Sequence, residues 1–126
     1  MSQPQAYLLE PDGAVIRAGL VEPLARQLQA HKIDAEIAYL TSNSLHETPF
    51  ARSFVVQDYF PFQLKRLRHY LQERDIGQVV IKKRGSPIDP DFLRGQLRLR
   101  GRNQCTLFLT HIQGQPSVII TQTPTS

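Results

Sequence analysis

Seven cations and two acids lie between Lys82 and Arg102: Lys82, Lys83, Arg84, Arg94, Arg98, Arg100 and Arg102 against Asp89 and Asp91. That segment carries +5. Of the chain's 15 bases and 11 acids, 8 and 9 fall elsewhere, so the rest of the molecule is slightly acidic and the whole net charge of +4 is local. A localised basic stretch is the footprint expected of a polyanion partner, nucleic acid being the commonest. A solvated basic face serving solubility alone is the simpler alternative.

The spacing sharpens the chemistry. Lys82, Lys83 and Arg84 close the apolar run Val79-Val80-Ile81 and lead straight into Gly85, where the backbone can turn sharply. Strand alternation sends Lys82 and Arg84 to one face and Lys83 to the other. A helix opens a few residues later at Asp89-Pro90, and on it Arg94 and Arg98 stand at i and i+4, away from the Leu93/Leu97 stripe. Arg100 and Arg102 flank Gly101. If strand end and helix face the same way, all seven form one surface of phosphate-spaced cations. The alternative for Arg94 and Arg98 is pairing with Asp91 and other acids. Exposed stacking aromatics are not evident, because Phe54 and Phe108 sit on apolar strand faces, so shape and phosphate contacts are favoured over base stacking.

Other chemistries leave no signature. His31, His46, His69 and His111 share no metal-ligand spacing with one another or with Cys105. The seven glycines are scattered singly, so no phosphate-cradling glycine loop exists. Glu73/Asp75 and Asp89/Asp91 have simpler roles at a helix end and a helix start. No catalytic residue is expected in this chain, nor a bound metal or cofactor. Cys105 is expected to be a small buried side chain.

These residues need a scaffold, and its rhythm is readable. Ala6–Glu10 forms a strand or extended lead-in, and Asp12 caps a short helix over Gly13–Ala18 with Val15 and Ile16 inward. A second helix runs from Pro23 to about His31 on Leu24 and Leu28. Glu36–Leu40 is expected as a strand and Thr41–Pro49 as a polar loop. Then follow a strand over Arg52–Phe60, a helix from Pro61 to about Asp75 on Leu64, Leu67 and Leu71, and Val79–Ile81 as a strand covered on both faces. The helix from Asp89-Pro90 to Gly101 precedes two strands, Cys105–Ile112 and Ser117–Thr121, joined as a hairpin through Gln113-Gly114-Gln115. Strand, helix, strand, helix, strand, strand implies an α/β fold: a single domain with a mixed β-sheet and helices packed on it. Residues 1–6 are a lead-in, 7–121 the domain and 122–126 a polar tail.

A chain of 126 residues with 40% hydrophobic and 21% charged residues suits one globular domain with a real core. No apolar run suffices for a membrane span, so no membrane partner is expected. One cysteine excludes an intramolecular disulfide and fits a reducing, cytoplasmic setting.

Five short motifs occur in order: Glu10-Pro11-Asp12, Ile16-Arg17-Ala18-Gly19-Leu20, Tyr39-Leu40-Thr41, Pro49-Phe50-Ala51-Arg52 and Ile81-Lys82-Lys83-Arg84-Gly85. Together they resemble the THUMP-like domain at the C-terminus of bacterial class I SAM-dependent methyltransferases. The resemblance implies an RNA-binding accessory role: presenting structured RNA, tRNA or rRNA, to a methyltransferase catalytic domain in cis or trans. It places the family's Lys-Lys-Arg-Gly on Lys82 to Gly85, and two further arginines on Arg17 and Arg52. For those two the residues themselves give no role beyond pairing of Arg17 with Glu10 or Asp12. SAM would bind the catalytic domain, which these residues do not include, so the chain is expected to be an excised C-terminal domain or a standalone relative. The rival expectation is structural: the domain packs on the catalytic domain, with apolar surface exposed around Leu20, Val21 and Phe50, and touches no nucleic acid.

Overall fold

The computed structural model describes residues 1–122, and the expected tail residues 123–126 lie outside them. Its elements in chain order are β1 (Tyr7–Pro11), α1 (Gly13–Arg17), α2 (Val21–Leu28), β2 (His31–Lys32), β3 (Leu40–Ser42), β4 (Ala51–Pro61), α3 (Leu64–Glu73), β5 (Ile76–Lys83), α4 (Pro90–Leu97), β6 (Asn103–Ile112) and β7 (Gln115–Gln122). One seven-stranded sheet runs in the order β2-β3-β1-β4-β7-β6-β5. Every neighbouring pair is antiparallel except β5 and β6, which α4 connects in parallel. The fold is α/β with a mixed sheet, and strand, helix, strand, helix, strand, strand is the order from β4 onward.

Alternation of side chains along the strands splits the core in two. On one face α3 and α4 bury Leu67, Leu71, Leu93 and Leu97 against Val79, Leu107, Leu109 and Ile120, while Val15, Leu24 and Ala25 of α1 and α2 meet Leu9 and Leu40. The opposite face has no helix. There Ile33, Ile37 and Tyr39, from the segment between β2 and β3, cover Leu8, Phe54, Phe108 and Ile119.

Several local expectations hold. Asp12 accepts from the Ala14 N–H and caps α1, and Asp89 accepts from the Phe92 N–H and caps α4, with Pro90 in its first turn. The β6–β7 turn is tight, with Gln113 at φ 48° and Gly114 at φ 86°, the left-handed pair a two-residue hairpin needs.

Others are corrected. α2 starts at Val21 and ends at Leu28, where Gln29 turns left-handed at φ 52°. Glu36–Tyr39 is not a strand; only Leu40 joins β3, whose Thr41 and Ser42 begin the expected loop. Inward Ile37 and Tyr39 have a strand's period, which a covering segment satisfies equally well. Pro61 ends β4 rather than opening a helix, because β1 no longer pairs there and a missing N–H costs nothing. β5 is an edge strand rather than one covered on both faces, and Val80 is 55% exposed. α4 stops at Leu97, with Arg98 left-handed at φ 53°.

Gly77, inside β5, and Gly101, just before β6, meet at a close crossing of the chain. A Cβ on Gly77 would run into the Gly101 backbone, and one on Gly101 into the Asp75 backbone, so the entries to β5 and β6 cross with no room for side chains. Gly95, inside α4, has nothing within 4 Å. Gly77→Ala is therefore expected to lower stability by about 2 kcal/mol or more, and Gly95→Ala to raise it by roughly 0.5–1 kcal/mol, read from urea unfolding midpoints.

Candidate nucleic-acid interface

β5 delivers Lys82 and Arg84 to the helix-free face and Lys83 to the other, as alternation requires. Lys82 pairs with Phe108 of β6 in register, and its Nζ reaches Oε1 of Glu10 on β1 at 2.7 Å. Lys83 Nζ instead donates to the Ile88 carbonyl at 3.2 Å and shapes the turn into α4. Arg84 is anchored by its backbone N–H on the Leu109 carbonyl, and its guanidinium lies 5.7 Å from the Tyr39 ring centroid. Arg84 Nε is buried without a hydrogen-bond partner.

Arg52, on β4 opposite Glu10, shares this face: its guanidinium lies 5.4 Å and Lys82 Nζ 5.6 Å from the Phe54 centroid. Phe54 and Tyr39 each pack edge-on against Phe108, at 4.9 and 5.3 Å. Three cations thus sit over one aromatic cluster, within the range where the ring quadrupole attracts them. Arg17 folds back from α1 so that its Nη1 lies against Gly13. A cavity of about 240 Å³ opens among Glu10, Asp12, Gly13, Pro49, Arg52 and Arg84. Three of the five sequence motifs therefore meet there, Arg17 of a fourth lies against Gly13 at its edge, and Tyr39 of the fifth lies under Arg84. Sequence reading missed this site. Its signal was the pair of unexplained arginines, Arg17 and Arg52, of which Arg52 lies across the strand pair from Glu10. No ion pair joins Arg17 to Glu10 or Asp12 among the described residues.

The expected single surface of seven cations is not formed. α4 runs back along the sheet, so the Arg98–Arg102 segment returns to the start of β5, about 23 Å from Lys83 by the rise of a strand. There Arg102 Nε pairs with Asp75 at 3.2 Å. Arg94 pairs with Asp91 at 2.8 Å, the simpler of the two readings of that residue. With Arg98 left-handed, it no longer shares a helix face with Arg94. Arg98 and Arg100 are exposed, and among the described residues neither has a carboxylate within 4 Å. Leu20 and Phe50 are about half exposed and Val21 is part-buried, so apolar surface is exposed where the structural alternative expects it.

A family model described as THUMP domain-like matches residues 51–123, more than half of the chain. The chain belongs to the THUMP domain-like family. Arg52 and the whole Lys82–Arg102 segment fall inside the matched span; Glu10, Asp12 and Arg17 precede it. Two relatives from two strains of Mycobacterium tuberculosis, each named as an uncharacterized S-adenosylmethionine-dependent methyltransferase, are 41% identical over 106 residues. That alignment covers 84% of this chain but 29% of each relative, so this THUMP-like chain spans under a third of the length of the curated relatives it matches. A crystal structure of a methyltransferase-like protein from Porphyromonas gingivalis superposes with a TM-score of 0.80 over 99% of this chain and 31% of that one. At 24% identity that likeness establishes the fold. No described helix is long and apolar enough to cross a membrane.

A second cavity, of about 380 Å³, lies beside β5 among Gln78, Val80, Arg94, Leu99 and Gln104.

Two buried acids set the domain's behaviour in alkali. Burial, reinforced by the nearby Glu10 charge, pushes Tyr39 from 10.0 up to about 12, and burial alone pushes Cys105 from 9.0 up to about 12. Both ionise less readily folded than unfolded, so the stability they contribute is complete below pH 9 and is lost as pH rises towards 12. Urea midpoints are expected to fall steadily across pH 9–12, and Cys105→Ala with Tyr39→Phe to flatten that limb.

Proposed function

We propose that this domain is the RNA-binding accessory part of an S-adenosylmethionine-dependent methyltransferase, and that cofactor binding and methyl transfer belong to another part of the protein. One observation carries the reading. Arg17, Arg52, Lys82 and Arg84 come from three separate segments to one end of the sheet, and three of them lie over a shared aromatic cluster. Arg17, Arg52 and Arg84 have no carboxylate within 4 Å among the described residues, so their charge is available to a phosphate backbone, while Lys82 is held by Glu10. The family membership and the methyltransferase names of the longer relatives supply the context. On this reading the partner is structured RNA, tRNA or rRNA, and the setting is the cytoplasm. Lys83 borders the site from the far side of β5. Arg98 and Arg100 would engage only a polyanion long enough to span the strand, and Arg94 and Arg102, already paired, contribute least.

RNA affinity of the domain, measured by fluorescence anisotropy at rising salt, is expected to fall with a log–log slope of about −3, as for three neutralised phosphates. Arg52→Gln is expected to weaken binding roughly tenfold and flatten that slope by about one contact, whereas Arg102→Gln changes affinity by less than about twofold. Affinity independent of salt, or unmoved by Arg52→Gln, would remove the reading.

A further inference from the structure

The cavity that gathers the arginines also holds two carboxylates, which a plain phosphate site would avoid. Glu10 lines it with Oε1 engaged by Lys82 at 2.7 Å, and Asp12 lines it with Oδ2 engaged by the Ala14 N–H at 3.2 Å. Each keeps a second oxygen that no described group donates to. The arginines are the reverse case: Arg52 and Arg84 have no carboxylate within 4 Å among the described residues, and Arg84 Nε is buried with nothing to donate to. Donors without acceptors and acceptors without donors therefore line one cavity of about 240 Å³, larger than a lone phosphate requires.

We infer that this cavity holds one ribonucleotide backbone unit, with the phosphate on Arg52 and Arg84 and the ribose 2′-hydroxyl donating to Glu10 or Asp12. A guanidinium fork matches the phosphate oxygens, and its Nε supplies one of the two parallel bonds. An ionised carboxylate accepts only, so it matches a sugar hydroxyl and repels a backbone that lacks one. The 2′-hydroxyl is the group that separates RNA from DNA. The inference rests on the RNA-binding reading and adds to it that the domain selects RNA through its sugar.

The test compares a fluorescein-labelled RNA hairpin with the deoxy hairpin of the same sequence and with its 2′-O-methyl form, all on the unmodified chain. The expected result is RNA binding about tenfold tighter than either analogue, the scale of one charge-assisted hydrogen bond. In the double variant Glu10→Gln, Asp12→Asn, which keeps a capping side chain at residue 12, DNA binding should strengthen and the gap should narrow. Arg84→Lys, which keeps the charge but removes the fork, should weaken RNA and DNA alike, and Lys65→Gln on exposed α3 should change neither. Equal, salt-sensitive affinity for RNA and DNA would overturn the inference and leave the accessory RNA-binding role standing. No binding of any strand would overturn that role as well.

Discussion

Tyr39, Phe54 and Phe108 form the contact on which the interface depends. The helix-free face of the sheet must be closed by something, and this edge-to-face trio closes it with rings of three elements distant in sequence. Once closed, its rim offers negative ring faces, and Arg52, Lys82 and Arg84 settle over them. The same trio thus serves packing and placement. Phe54 and Phe108 are core residues, as their strand positions suggest, yet the cations are organised because that core reaches the surface here. The Lys82–Glu10 bridge, spanning 72 residues of sequence, then fixes the edge strand's charge relative to β1.

What was legible in the sequence was what neighbours in the chain decide. Asp12 and Asp89 announce helix starts because a cap bonds two or three residues ahead. Leu67/Leu71 and Leu93/Leu97 announce helix faces because one turn brings them together. The strand order was not legible, since β5 lies at the edge only because β6 and β7 insert between it and β4. That decides the fate of the basic segment. A parallel β5–β6 pair requires its connecting helix to travel the length of the sheet, so a charge cluster compact in sequence is drawn out along β5. Charge density located the segment; topology decided which part of it could act together. Arg52 shows the converse, because only the pairing of β1 with β4 sets it opposite Glu10, which lies 42 residues away in sequence.

The Lys82–Gly85 motif has a physical division of labour that explains why its three cations are not equivalent. Lys82 is spent on Glu10 and Lys83 on the Ile88 carbonyl, so both hold the fold. Gly85 follows at φ 83°, in space where a Cβ would meet Ile37 Cδ1 at 2.5 Å, so the chain leaves the sheet hard against the segment that carries Tyr39. That turn sets Arg84 down on the Tyr39 ring instead of letting the strand run on. Arg84 faces the Tyr39 ring, yet its Nε is a buried donor that no described group meets, and such a donor left unmet costs about 1–3 kcal/mol. Two cations and a glycine therefore position a third cation with donor capacity that the described residues leave unused, and the proposed phosphate contact is what would draw on it.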